Sequence, residues 1–464
     1  MVSSAKKISD FSFFSMTASL FVTVYEYPTF ADYGKTAVFF LVICGLLWFL
    51  PLSLCSAELA SIKGAQQGGI FSWVGVPLGN SNGFSAIFFQ WFQITVGFVT
   101  MIYFIIGTVA YIFKIPSINN DPTYKFFAVV GIFWILTLLQ FKGTKITTSI
   151  AKYGFSIGII LPVCIMIVMV SVYLLHGNPV SNNFSGHSFI PRAADIPALS
   201  TFLLAYMGVE ASATHISELN DSKKSYPRIL GILVIIGIAT SAIGGSVVSI
   251  VLHGKISANE GVMDAVQRLI SPNRVSLPVV VIGLLIIFGI SAQVSSWIVS
   301  PTEGLQYVAQ KGLLNRKFAK KNREQIPINI LVIQGIIVTI WAAILTFGSG
   351  SAGGSLSFQI AISLTVLIYL SAYVLLFAAY LRVGLYSDNV ETTYEVKGGK
   401  VVKAIVGSAG LLISLVAIAT TFIPPKNIQT SEGGTYILIL AISYLVVLLV
   451  PYAIYFYEQK NIKA

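Results

Sequence analysis

The chain has 464 residues, of which 55% are hydrophobic and only 10% charged, with a mean hydropathy of +0.82 and a formal net charge of +11. Soluble domains carry roughly a quarter charged residues, so this low charge excludes a soluble globular protein. The excess of 29 Lys and Arg over 18 Asp and Glu raises nucleic acid as a partner, but no basic face interleaved with aromatics is present, which excludes that class.

Polar runs divide the chain into twelve apolar runs, most long enough to cross a bilayer as helices of about 20 residues. Their spans are 11–33, 36–59, 84–113, 123–141, 150–175, 195–217, 227–252, 277–307, 327–347, 355–381, 403–423 and 434–457. They are uniformly apolar and do not alternate in short strands, which argues against a β-barrel. The fold class is therefore an all-α membrane protein. The N-terminus, MVSSAKKISDFSFF, lacks a small-residue cleavage site before a short apolar core, so the first span is expected to be retained.

The first span reads SLFVTVYEYPTFA from Ser19 to Ala31 and contains Glu26. Tyr25-Glu26-Tyr27-Pro28 is expected to interrupt it, because proline removes a backbone donor and pushes the preceding residue out of helical geometry. Cys44, Cys55 and Cys164 fall within apolar spans without metal or CxxC spacing and read as small packing residues. Between the second and third spans, Gln66–Trp73 reads as a short amphipathic element at the membrane surface. Lys152 opens the fifth span. It either snorkels to the surface or, if buried, provides a fixed or titrating cation.

The sixth span reads LSTFLLAYMGVEASATH from Leu199 to His215 and contains Glu210. Here Tyr206-Met207-Gly208-Val209 is the expected break, Gly208 permitting backbone conformations that other residues resist. Unwound carbonyls attract an ammonium and half-helix N-termini attract a carboxylate, and an α-amino acid carries both. Glu26 and Glu210 can each serve protonation or gating, or be structural carboxyls fixed by the freed backbone. The eighth span holds Trp297 and, six residues on, Glu303. The tenth holds Tyr369 and Tyr373, four apart and hence on one face. His176, His187, His253 and His215 have no metal spacing, and no P-loop, nucleophile–base pair or dinucleotide signature appears, so neither a cofactor nor an enzymatic activity is expected.

With both termini cytoplasmic, the inner loops hold 21 of the 29 basic residues, the positive-inside asymmetry of a multi-pass plasma-membrane protein. Five spans separate the two breaks, so they start from opposite faces. An odd offset predicts an inverted repeat of five plus five helices within a single transmembrane domain: the first repeat over 1–176, the second over 194–382, and two appended helices over 403–457.

The strings VYEYPTFA (24–31), ASIKGAQQGGIFSWV (60–74), QFKGTK (140–145), YMGVEASATH (206–215) and SSWIVSP (295–301) resemble the bacterial glutamate/GABA antiporter family, a branch of the amino acid–polyamine–organocation superfamily. The similarity runs from the first span to Tyr457. It implies the fold first described for a bacterial leucine transporter, and exchange of an external amino acid for the internal amine made from it by a cytoplasmic decarboxylase. It also implies that Tyr25, Leu204, Glu210, Trp297, Tyr369 and Tyr373 line the substrate path, and that Lys152 stands where some relatives bind sodium.

Departures from the family pattern bear on the substrate. Gln293 stands four residues before Trp297 where the pattern has an acid, and Glu303 stands where it has a base. A basic-to-acidic exchange on the path disfavours a dicarboxylate. The reading therefore favours tyrosine/tyramine, histidine/histamine or agmatine/putrescine over glutamate/GABA. The pattern also has a long C-terminal tail that closes the inner mouth at neutral pH. This sequence stops at Ala464, so activity over a wider pH range is expected. If a neutral amino acid enters and a monocationic amine leaves, each cycle exports one positive charge, and decarboxylation consumes a cytoplasmic proton, as acid resistance requires. The nearest alternative is a proton-coupled amino acid importer using Glu210 or Lys152. Oligomeric state is left open.

Overall fold

The structure, a computed structural model, describes residues 8–65, 67–348, 356–386, 392–424 and 430–463. Ten continuous helices among them are long and apolar enough to cross a membrane: Gly34–Ala60, Asn80–Phe113, Pro122–Gln140, Ser149–Leu175, Lys223–Val251, Leu277–Gln310, Ile328–Phe347, Gln359–Tyr386, Gly399–Thr421 and Gly433–Lys460. Helix is the form in which these segments satisfy every backbone donor and acceptor without water. Pairing between extended segments is confined, among the described residues, to two isolated bridges, Ile8 with Leu219 and Ile62 with Thr392.

The difference between ten and the twelve expected spans lies in the first and sixth, which are interrupted. The first is a helix over Asp10–Phe21 followed, after an irregular stretch, by one over Tyr27–Ala31. The break lies at Val22–Glu26, a few residues earlier than the sequence suggests. Pro28 sits in the first turn of the second half, where its missing N–H has no helical partner to lose. The sixth is a helix over Leu199–Leu204, an irregular turn from Ala205 to Glu210, then a tighter 3₁₀ helix over Ala211–Glu218.

Burial orders the remaining helices. The third and tenth spans are the innermost, with 72% and 83% of their apolar windows buried, while the fourth and twelfth are 17% and 11% buried and present their side chains outward. The fifth and eighth spans meet backbone to backbone: a methyl group on Gly158 would strike Gly289, and one on Gly154 would strike Ala292. Small residues allow such contact where no hydrophobic effect drives helices together.

Two expectations change. The Gln66–Trp73 segment, of which Gln66 lies outside the described residues, is not a surface element. It leads into a helix over Ile70–Leu78 whose Ile70–Gly75 stretch is buried, with Gly83 of the third span packed on Phe71 and Gly75. Cys44 and Cys55 are buried as expected, but Cys164 is exposed on the outer surface of the fifth span and packs no core.

Candidate functional site

The two breaks border one cavity of about 820 Å³. Its rim, formed by Asp32, Tyr33, His187, Ala193 and Asn259, lies at the face opposite the basic loops, and its floor is formed by Leu20, Phe21, Met207, Trp297 and Tyr369. Around the first break the backbone N–H groups of Thr23, Val24 and Glu26 donate to no acceptor among the described residues, whereas Tyr25 N–H turns back to Thr23 Oγ1 at 3.3 Å. At the second break the carbonyls of Ala205, Tyr206 and Met207 accept from no described donor. Unpaired main-chain polar groups inside a membrane protein are tolerated where they line a wet cavity. Of the groups at the two breaks, those of Glu26 and Met207 belong to residues that line the cavity, so the chamber has an unpaired amide at one break for a carboxylate and an unpaired carbonyl at the other for an ammonium.

Below the chamber the first span is bolted to its neighbours. Trp297 Nε1 donates to Leu20 O at 2.7 Å, and Gln293 Nε2 donates to the same carbonyl at 3.3 Å. Thr17 and Ser212 hydroxyls meet at 2.7 Å, and Ser19 and Ser296 hydroxyls at 3.2 Å. Gly208, with φ of +112°, lies so close to Trp297 that a Cβ there would come within 2.5 Å of the indole ring. Glycine is required twice over, for its dihedral and for the space.

Glu210 lies behind this floor, 1% exposed. Its Oε1 accepts from Gln90 Nε2 and Tyr369 Oη, each at 2.8 Å, and its Oε2 accepts from Tyr373 Oη at 2.9 Å. Tyr373 Oη in turn accepts the Gly208 N–H at 2.9 Å. The hydroxyls of two stacked tyrosines, 4.7 Å between ring centroids, thus tie the sixth-span break to the tenth span through one carboxyl. Three donors on one buried carboxyl leave the group no need of solvent.

Of the residues singled out from sequence, Tyr25, Glu26, Leu204, Trp297 and Tyr369 line the cavity. Tyr206 does not: its hydroxyl donates to Leu41 O at 2.7 Å and its ring stacks on Phe49. Gly208, Glu210 and Tyr373 form the layer behind the wall. Gln293 faces Leu20 O and is not part of the lining. Glu303 sits toward the basic face, 3.3 Å from His215 Nε2, while His215 Nδ1 is 3.0 Å from Glu218. Lys152 is half-buried over the rings of Phe11 and Tyr153, 5.6 Å from each centroid, and is not among the lining residues.

Sequence reasoning missed the third span. Gln93 lines the cavity and Gln90 holds Glu210. The signal was present: FFQWFQITV places two amides in an otherwise apolar run at membrane depth, a position where polar residues are costly. Asp32 and His187 at the rim were also not singled out as lining residues.

Comparison with known proteins is consistent throughout the chain. The family model described as amino acid permease matches residues 8–448. The chain is 46% identical over 462 residues to a protein of Lactococcus lactis subsp. lactis (strain IL1403) named glutamate/gamma-aminobutyrate antiporter, covering 98% of this chain and 92% of that one. A protein of the same name from Lactococcus lactis subsp. cremoris (strain MG1363) matches with the same identity and coverage. An uncharacterized transporter of Legionella pneumophila is 30% identical over 406 residues, 86% of each chain.

Proposed function

The chain belongs to the amino acid permease family, and on that premise we propose that it exchanges an external amino acid for the internal amine formed from it by decarboxylation. Family membership makes it a transporter and not an enzyme. The observation that carries the proposal is the cavity between two broken spans, with the amide of Glu26 on one side and the carbonyl of Met207 on the other, each without a partner among the described residues. The substrate's α-carboxylate and ammonium bind there, and loss of the carboxylate converts the incoming solute into the outgoing one.

In this reading the basic loops face the cytoplasm of a bacterium, both termini are cytoplasmic, and the cavity opens outward. The five-plus-five inverted repeat supplies the alternation: a bundle of spans rocks until the floor at Trp297 opens and the rim closes.

For the substrate pair, glutamate and gamma-aminobutyrate come first, because two relatives at 46% identity carry that name. Gln293 and Glu303, on which the preference for other pairs rests, are not among the lining residues. The lining carries the carboxyls of Glu26 and Asp32 and neither lysine nor arginine, so it favours solutes of net zero or positive charge. Glutamate meets this condition with its side chain protonated, near a pKa of about 4.3. Its exchange should therefore rise as external pH falls. The same charge pattern favours a second reading in which the pair is tyrosine/tyramine or histidine/histamine, or agmatine/putrescine, a pair of cations without a carboxylate that would use the carbonyl side of the site alone.

The test is counterflow in liposomes loaded in turn with each amine. Labelled amino acid should enter rapidly only against its own amine, and the fastest pair names the substrate. Uptake that is equally fast into empty vesicles overturns exchange, and uptake driven by an inward proton gradient alone establishes the importer instead.

A further inference from the structure

We propose that Gln93 determines specificity: its side-chain carbonyl accepts a hydrogen bond from a donor at the far end of the exchanged substrates. The residue lies on the third span, lines the cavity and is 2% exposed. Its Nε2 donates to Gln90 O at 3.2 Å. A main-chain carbonyl can only accept, so that contact fixes the amide with nitrogen toward Gln90 and oxygen away from it. Among the described residues no donor bonds Oε1, which leaves an acceptor without a protein partner on a residue that lines the chamber. A solute that covers it without donating leaves it unpaired, at a cost of roughly 1–3 kcal/mol.

The setting is rigid. Gln90, one turn away, is pinned through its own amide to Glu210, so the carbonyl that holds Gln93 is itself held. The neighbouring polar groups on the same wall are already engaged: Thr100 Oγ1 donates to Gly97 O at 2.9 Å, and Tyr103 Oη meets Thr346 Oγ1 at 2.6 Å. Gln93 is thus the third-span amide that lines the cavity with no protein donor on its carbonyl among the described residues.

The inference rests on the reading that the breaks of the first and sixth spans hold the amino acid's head. The side chain then extends from those breaks, and the third-span wall is available to its tip. A tip ending in O–H or N–H satisfies Oε1: a protonated carboxyl, a phenol, an imidazole or a guanidinium. A tip ending in methyl or C–H leaves it bare. A site built around a hydrogen bond rejects the analogue that lacks the donor more strongly than an apolar pocket rejects one extra methylene.

The experiment compares each amino acid with an apolar-tipped analogue of similar size, such as tyrosine with phenylalanine or glutamate with norvaline, as competitors in counterflow and as ligands in a thermal-shift assay on purified protein. Wild type should prefer the donor-bearing member of its pair by roughly 10- to 100-fold. Gln93→Leu should bring that ratio to within about threefold of one, mainly by weakening the donor-bearing member. Gln93→Glu, which keeps an acceptor at the tip, should retain a preference for the donor. A ratio unchanged in Gln93→Leu overturns the proposal. Should that variant fail to fold, Gln93→Met, closer in shape, carries the same expectation. If wild type shows no trans-stimulated exchange, the function reading fails, and the thermal-shift ratio still decides Gln93.

Discussion

The halves of the molecule on either side of Trp297 are held by different forces. Toward the rim, the second, first and sixth spans meet through aromatic rings gathered on Phe202. Phe40 stacks on it at 4.8 Å, Tyr33 meets it edge-on at 5.4 Å, and Phe30 lies at 5.8 Å. Toward the basic face, contacts are polar and directional. Ile8 N–H donates to Glu218 O, Ser225 donates to Asp10, and His215 sits between Glu218 and Glu303. Glu58, 1% exposed, pairs with Lys403 at 2.6 Å and accepts from Val396 N–H and Tyr380, while Thr393 and Tyr394 bond Ser61 at the end of the second span. Rings slide over one another at little cost, whereas hydrogen bonds and ion pairs hold until broken. The lesson is that one half can close by repacking, while the other must release a discrete set of bonds before it opens.

The largest effect that would break this comparison is at its boundary. Gly208→Val puts a branched side chain at φ +112° against Trp297, a strain of at least about 1–3 kcal/mol before the clash is counted. Counterflow should fall more than roughly 100-fold; activity within tenfold of wild type would mean that the floor is not so tightly set.

Next is the closed half itself. Ile62 and Thr392 face each other in an antiparallel bridge, a spacing compatible with a disulfide. The double variant Ile62→Cys, Thr392→Cys, in a background lacking the native cysteines, should lose exchange by roughly tenfold or more on oxidation and regain it on reduction, while substrate binding from the open side persists. Full exchange by the oxidised protein would show that the segment at Thr392 travels with the second span and seals nothing.

Glu210→Gln should come third. One donor set loses its carboxyl acceptor and the new amide nitrogen confronts hydroxyl and amide donors, so stability should drop by roughly 1–3 kcal/mol and exchange by about tenfold. A lower Tm with parallel loss of both binding and turnover would assign Glu210 to architecture; loss of turnover with binding intact would assign it to gating. Smallest is Lys152→Gln. Contacts of a half-buried cation with two rings contribute about 0.5–2 kcal/mol, so exchange should stay within twofold. A large loss would place Lys152 in the transport machinery.

The long spans and both interruptions were legible because hydrophobic runs and a proline or glycine beside a carboxylate are local signals. The location of the first break was displaced, since proline marks the start of a second half-helix and not the unwound residues before it. Gln93 and Gln90 were visible as polar residues but had no stated purpose, because which face of a buried helix meets a cavity is decided by neighbours far away in sequence. Gln293 and Glu303 show the reverse. Their charges were read correctly, yet their partners, Leu20 O and His215, belong to other spans, and no periodicity reveals that.

The glycine contact between the fifth and eighth spans carries a mechanical consequence. Where Gly158 and Gly289 touch main chain to main chain, with Ile159 beside the contact, the two helices approach as closely as their backbones allow. A bulky residue wedged between the two glycines would force the spans apart, and so would perturb transport from a point that touches no solute.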